Sequence, residues 1–262
     1  MAYSTVALTR QGAVAIVSLA DPSTLNALTP KMAAELGAAF DEAAGAARCA
    51  ILTGEGRGFS SGARLAGAAL PRDADGQIDL GQSLERDFNP LIRKLRDLPI
   101  PFVAAVNGPA AGIGCSLALL ADLIVAAESA YFLQAFRNIG LVPDGGATYL
   151  LPRMLTRARA MELMLLGERL PAPKALEWGL INRCVPDAEL MPMALALASK
   201  LAEGPTESLA MTRQLAWRAL DATLEDQLQA ERRAQREAGR TEDFIEGAHA
   251  FAQKRTPVFK GR

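Results

Sequence analysis

Two glycine-rich turns hold the residues of this chain best placed for chemistry: Gly58-Phe-Ser-Ser-Gly62-Ala-Arg-Leu65 and Val106-Asn-Gly-Pro-Ala-Ala-Gly112-Ile-Gly-Cys-Ser116. Each follows a short apolar run and each leads towards helix-forming sequence. Glycine admits φ > 0 and lets a ligand approach the backbone, while a helix start presents unpartnered N–H groups and a partial positive charge. The N–H groups of Ala63 and Ile113 are therefore candidate donors to one carbonyl oxygen, an oxyanion hole. No Gly-Lys-Ser/Thr follows either turn, which excludes a nucleotide-binding phosphate loop. Ser60, Ser61 and Ser116 invite a nucleophile reading, but a hydroxyl needs a neighbouring base. The only histidine, His249, lies in the C-terminal tail, so these read as turn and helix-start serines.

The elements that must carry these turns are short and apolar. Residues 49–53 predict a buried strand entering the first turn, and residues 102–106 a second strand entering the other. Upstream, residues 5–8 and 14–19 read as strands around the hairpin signal Arg10-Gln-Gly12, and Thr29-Pro30 opens a helix whose Met32, Leu36, Ala39, Phe40 and Ala43 share one face. Residues 80–98 predict a helix ended by Pro99, and 123–127 a further strand. Helices follow at 157–166, 172–178 and 188–203, with a short strand at 181–185.

Gly204-Pro205 is the expected boundary between a core at 1–203 and a helical tail at 204–262. Along the tail, Trp217, Leu220, Leu224 and Leu228 form an apolar stripe beside Glu225, Asp226, Glu231, Arg232 and Arg233. Such a stripe packs against the same chain or against another subunit, and periodicity does not choose between them.

The bulk numbers narrow the class. With 262 residues, half of them apolar, the chain builds a large core without disulfides or metal. The 28 basic and 29 acidic side chains nearly cancel and form no long single-sign run, so neither nucleic acid nor an anionic membrane is an expected partner. Cys49, Cys115 and Cys184 stand singly and read as buried free thiols of a reducing compartment. The N-terminus lacks a basic patch followed by an apolar stretch, making the cytoplasm the expected location. The uncharged stretch at 98–121 is long enough for a membrane span, but its prolines, glycines and Asn107 point to strand, turn and buried helix.

The two turns combine with Leu25-Asn-Ala-Leu28, Ile139-Gly-Leu-Val-Pro-Asp-Gly-Gly146, Trp178-Gly-Leu-Ile181 and Phe251-Ala-Gln-Lys-Arg-Thr-Pro-Val-Phe259. In order and spacing over essentially the whole chain, these segments resemble the enoyl-CoA hydratase/isomerase (crotonase) family. Leu141-Val-Pro-Asp144-Gly-Gly, Tyr149-Leu-Leu-Pro-Arg153 and Arg157-Ala-Arg-Ala-Met161 are most similar to its isomerases of phenylacetate degradation, which act on ring-1,2-epoxyphenylacetyl-CoA. The resemblance implies an α/β spiral of ββα units with a C-terminal helical trimerisation region, assembled as a homotrimer or a hexamer of paired trimers. It implies an acyl-CoA thioester substrate held by the amides of Ala63 and Ile113, with coenzyme A part of the substrate and no separate cofactor or metal. Leu25, Asn26, Ala27, Leu28, Ala63, Arg64, Leu65 and Ala66 would line the acyl and pantetheine channel, and Phe88, Leu133, Phe136 and Leu141 an apolar acyl pocket.

The family's hydratases use two glutamates to add water; at those positions this chain has Ser116 and Phe136. Neither is a competent acid or base, so efficient hydration is not expected. Asp144, in the Pro-Asp-Gly-Gly turn, matches the carboxylate of several family isomerases, although its residue type alone also fits an ordinary turn aspartate. One base that removes a proton at one carbon and returns it at another suffices for a double-bond shift. The alternatives that remain open are a hydratase-like lyase, an aryl-CoA dehalogenase with Asp144 as nucleophile, and a non-catalytic acyl-CoA-binding subunit. Arg64 departs from the family's usual aspartate, leaving a phosphate contact or plain solvent exposure as its roles. Arg57, Lys254, Arg255 and Lys260 lie near the family's coenzyme A contact regions, but solvated charge explains each.

Overall fold

The computed structural model describes residues 3–64 and 70–262. It opens with the hairpin β1 (Val6–Gln11) and β2 (Val14–Leu19), followed by helix α1 (Pro30–Ala46) and strand β3 (Cys49–Gly54). Thr29 caps α1 by accepting the Met32 N–H, and the predicted apolar face is buried. Strand β1 runs further than its apolar residues indicate, because Arg10 and Gln11 pair with Ala15 and Val14 although their side chains face solvent.

The predicted helix at 80–98 is three pieces: a turn α2 (Gly81–Ser83), a π-helical segment (Leu84–Phe88) and α3 (Asn89–Arg96). The chain continues through β4 (Phe102–Val106), β5 (Pro109–Ala111), α4 (Ile113–Leu119), β6 (Leu123–Ala127) and β7 (Tyr131–Leu133). The uncharged stretch thus becomes two strands and a short buried helix. Among the described residues no helix is long and apolar enough to cross a membrane.

Strands β4 and β6 join a six-stranded sheet, whereas β5 and β7 join a three-stranded one, so successive units send one strand to each. This is the spiral of repeated units that the resemblance implies. In the large sheet β2, β3, β4, β6 and β9 (Arg183–Val185) run parallel, and only the β1 edge is antiparallel. Every residue of β3 and β4 is buried, as expected for parallel strands covered on both faces.

The remaining elements are α5 (Ala147–Met154), α6 (Arg157–Leu166), β8 (Leu170–Pro171), α7 (Ala172–Glu177), α8 (Leu190–Ala202), α9 (Thr206–Ala219), α10 (Leu224–Ala238) and α11 (Glu242–Ala252). Gly204 and Pro205 fall between α8 and α9. Buried Arg213 of α9 ties the tail to the core, bonding the Asp122 carboxylate at 2.6 Å and the Leu95 carbonyl at 2.6 Å. Arg48 adds a second tie, to the Thr206 hydroxyl at 2.9 Å and the Phe259 carbonyl at 3.0 Å. The apolar stripe is divided by the turn before α10: Trp217 stacks on Tyr149, but Leu220, Leu224 and Leu228 are exposed. Cys49 and Cys115 are buried free thiols, pushed up to about 12 mainly by that burial, whereas Cys184 is only half-buried.

Candidate active site

The first glycine turn is held from below by Asn26. Leu25 and Asn26 both adopt left-handed backbone angles, φ 54° and 56°, which asparagine tolerates better than most side chains. The buried Asn26 amide donates to the carbonyls of Glu55 at 2.9 Å and Gly58 at 2.8 Å, and its oxygen accepts the Asp21 N–H at 2.9 Å. Asn107, from the second turn, donates to the Gly54 carbonyl at 2.8 Å and so grips the same loop.

The two turns then run backbone to backbone. Ser60 N–H donates to the Pro109 carbonyl and Ala111 N–H to the Ser60 carbonyl, each at 2.9 Å. Gly62 has φ 96°, and a Cβ there would stand 3.0 Å from the Ala111 carbonyl oxygen. Leu28 N–H bonds the Gly62 carbonyl and Arg64 N–H the Leu28 carbonyl. In this parallel bridge the N–H of Ala63 points away from Leu28. Ile113 is the first residue of α4, where an N–H has no intrahelical acceptor. Among the described residues, neither amide has a backbone acceptor.

Ala63, Ile113 and Asp144 line one cavity of about 760 Å³. Its other walls are largely apolar, with Leu28, Leu84, Phe88, Phe136 and Leu141 among them. Leu84 and Phe88 come from the π-helical segment, a distortion common at functional sites. Asp144 reaches the cavity from the turn before α5. Its Oδ1 is buried without a hydrogen-bond partner among the described residues, and burial pushes the carboxyl up to about 6.

Not every expected residue is at the cavity. Leu28 lines it, but Leu25, Asn26 and Ala27 do not; Leu25 and Asn26 form the left-handed turn that precedes it. Leu133 is absent from the lining; its carbonyl accepts the Gly112 N–H at the end of β7. Arg64 is at the wall and exposed. Leu65 and Ala66 lie outside the described residues. Ser60 and Ser61 donate to the carbonyls of Asn26 and Thr24, consistent with their reading as turn serines. Sequence reasoning missed the structural part of Asn26, for which the only signal was a polar residue enclosed in Leu25-Asn-Ala-Leu28.

The enoyl-CoA hydratase/isomerase family model matches residues 9–262. The chain belongs to the enoyl-CoA hydratase/isomerase (crotonase) family. It is similar to the 1,2-epoxyphenylacetyl-CoA isomerase of Escherichia coli K12, 46% identical over 252 residues and covering 95% of each chain. A Rhodobacter capsulatus protein named "probable enoyl-CoA hydratase" is 42% identical over the whole of both chains. Among solved structures, an enoyl-CoA hydratase of Polaromonas sp. JS666 superposes with TM-score 0.88 at 34% identity, over 97% of this chain and 99% of that one. This family membership makes the protein an enzyme of acyl-CoA thioester chemistry, and its relatives carry both isomerase and hydratase names.

Proposed function

We propose that this crotonase-family enzyme is an acyl-CoA isomerase that shifts a double bond, or rearranges a ring epoxide, in an enoyl- or arylacetyl-CoA thioester. The observation that carries the reading is the carboxylate of Asp144, whose buried Oδ1 has no hydrogen-bond partner among the described residues, in the cavity that Ala63 and Ile113 also line. The family's two water-handling positions hold Ser116 and Phe136.

In this mechanism the thioester oxygen accepts hydrogen bonds from the Ala63 and Ile113 amides. Asp144 removes a proton next to the thioester or two carbons further on, and charge moves onto the oxygen as an enolate. The same carboxyl then returns the proton at the other carbon. A carboxyl near 6 is mostly ionised at neutral pH, yet is a stronger base than an ordinary aspartate. Each oxyanion donor is worth about 2.7–4 kcal/mol in the transition state. The aromatic and aliphatic walls suit a ring or branched acyl group, and coenzyme A enters as part of the substrate.

The test is Asp144→Asn, assayed with β,γ-enoyl-CoA and 1,2-epoxyphenylacetyl-CoA. Turnover should fall by about 10²- to 10⁴-fold with thioester binding retained. Undiminished turnover overturns the reading. Efficient hydration of crotonyl-CoA favours the hydratase assignment carried by some relatives, and an aryl ester trapped on Asp144 favours nucleophilic dehalogenation.

The tail at 204–262 is proposed as the assembly region of a homotrimer or a pair of trimers. Support comes from Leu224, Leu228, Phe244 and Ile245, which leave large apolar side chains exposed on consecutive helices. Light scattering of the full chain reads the subunit number directly.

A further inference from the structure

Ser116 is fully buried in α4, three residues after Ile113. Its hydroxyl donates to the main-chain carbonyl of Asp144 at 3.0 Å; its other contact, with the Gly112 carbonyl at 3.5 Å, is at the limit of a hydrogen bond. The next residue of the same turn, Gly145, has φ 59° and is pressed against the helix. A Cβ there would fall 2.9 Å from Ile113 Cγ1 and 2.9 Å from Ser116 Cβ. Ile113 and Ser116 are three residues apart, hence neighbours on one face of α4. One helical face therefore carries the Ile113 amide and also grips the turn that bears Asp144.

We propose that Ser116 is a positioning residue, whose hydroxyl locks the Asp144 turn onto α4 and so sets the placement of the carboxylate relative to the Ile113 amide. The inference deepens the isomerase reading and rests on Asp144 being its base. Ser116 neither gives nor takes the reacting proton. Its hydroxyl is engaged by a main-chain carbonyl, and Asp144 Oδ1 has no donor among the described residues. Without the hydroxyl, the part-buried Asp144 carbonyl keeps, among the described residues, only the Ala147 N–H, at 3.1 Å, and the turn is free to shift. A displacement on the order of 1 Å between reacting groups costs about 100-fold in rate.

Four full-length proteins test this: wild type, Ser116→Ala, Asp144→Asn and the double variant, each assayed for β,γ- to α,β-enoyl-CoA isomerisation. Ser116→Ala should lower kcat by about 10- to 100-fold with KM changed less than about twofold. In the Asp144→Asn background the same substitution should cost less than about twofold, because no base remains to be placed. An unchanged kcat in Ser116→Ala overturns the proposal. So does an equal loss in both backgrounds, which assigns Ser116 to the fold or the oxyanion donor instead. Wild-type turnover in Asp144→Asn is a distinct result that removes the base itself, and the proposal with it. If Ser116→Ala does not fold, Ser116→Cys, which fills the site with a weak donor, replaces it under the same criteria.

Discussion

The two walls of the cavity are built on opposite principles. The wall bearing Ala63 and Ile113 is backbone against backbone: Ser60 is bonded to Pro109 and Ala111, Leu28 to Gly62 and Arg64, with Asn26 buried underneath. The wall bearing Asp144 follows a stretch with exposed apolar residues, Val142 at 80% and Ile139 at 55%, and leaves the carboxylate Oδ1 without a partner among the described residues. Main-chain donors need fixed geometry to meet a developing charge, and a hydrogen-bonded frame supplies it at no cost in titratable groups. A proton-transferring carboxylate needs the reverse, poor solvation and no competing partner, and that is a destabilising state for the fold. Stability resides in one wall and reactivity in the other.

The comparison breaks most visibly at Asp144, where the loss of turnover in Asp144→Asn is the largest effect expected. In the backbone wall, Gly62→Val places side-chain atoms against the Ala111 carbonyl at a left-handed φ. It should reduce kcat about 10²- to 10³-fold by separating the oxyanion donors, with Asp144 still titrating normally in the pH–rate profile of the residual activity. If Gly62→Val retains full activity, the backbone wall does not carry the charge stabilisation. Asn26→Ala probes the frame beneath it. The three hydrogen bonds of this buried side chain disappear, and urea unfolding should show a loss of about 2–4 kcal/mol.

The titration of Asp144 sharpens the contrast. Activity should fall on the acid side with a midpoint near 6, where the base becomes protonated. For stability the sign is opposite to that of a paired carboxylate. The folded carboxyl, at about 6, lies above its ordinary value of 3.8, so the folded state holds the proton more tightly. The stabilisation from that proton is fully present below about pH 4 and lost as pH rises through 6. Asp144→Asn should therefore be more stable than wild type by about 1–2 kcal/mol at pH 7.5, with the difference gone below pH 4, as read by urea titrations at both pH values. A variant less stable at pH 7.5 would mean that the carboxylate has a partner in solution. The smallest effect belongs to the exposed rim: Val142→Ser should change KM for aryl-CoA esters a few-fold and leave the melting temperature within about 1 °C.

Much of this was legible in local sequence. The runs that became β2, β3, β4 and β6 are too short and too apolar for anything but buried strands, and Thr29-Pro30 announces α1 because capping is a local property. Other features were not. Pro109–Ala111 is a strand only because β7 and Ser60 lie on either side of it. The helix Ala147–Met154 was hidden by the preceding glycines and by Pro152 within it. The π-helical segment at Leu84–Phe88 leaves no mark in residue periodicity.

At the site, residue types determined which chemistry was available: two glycine turns ending in free amides, one aspartate, and serine and phenylalanine where two glutamates would add water. Those are properties of side chains and of local backbone freedom, and they are present before folding. What the tertiary structure alone decided was company. It packed the turns of Ala63 and Ile113 against each other, put Leu28 rather than Leu25, Asn26 and Ala27 at the cavity, and buried Asp144 Oδ1 without a partner among the described residues. It also laid the Ser116 hydroxyl on the Asp144 main chain. Basicity, alignment and access depend on what stands within a few ångströms, and those neighbours come from segments far apart along the chain.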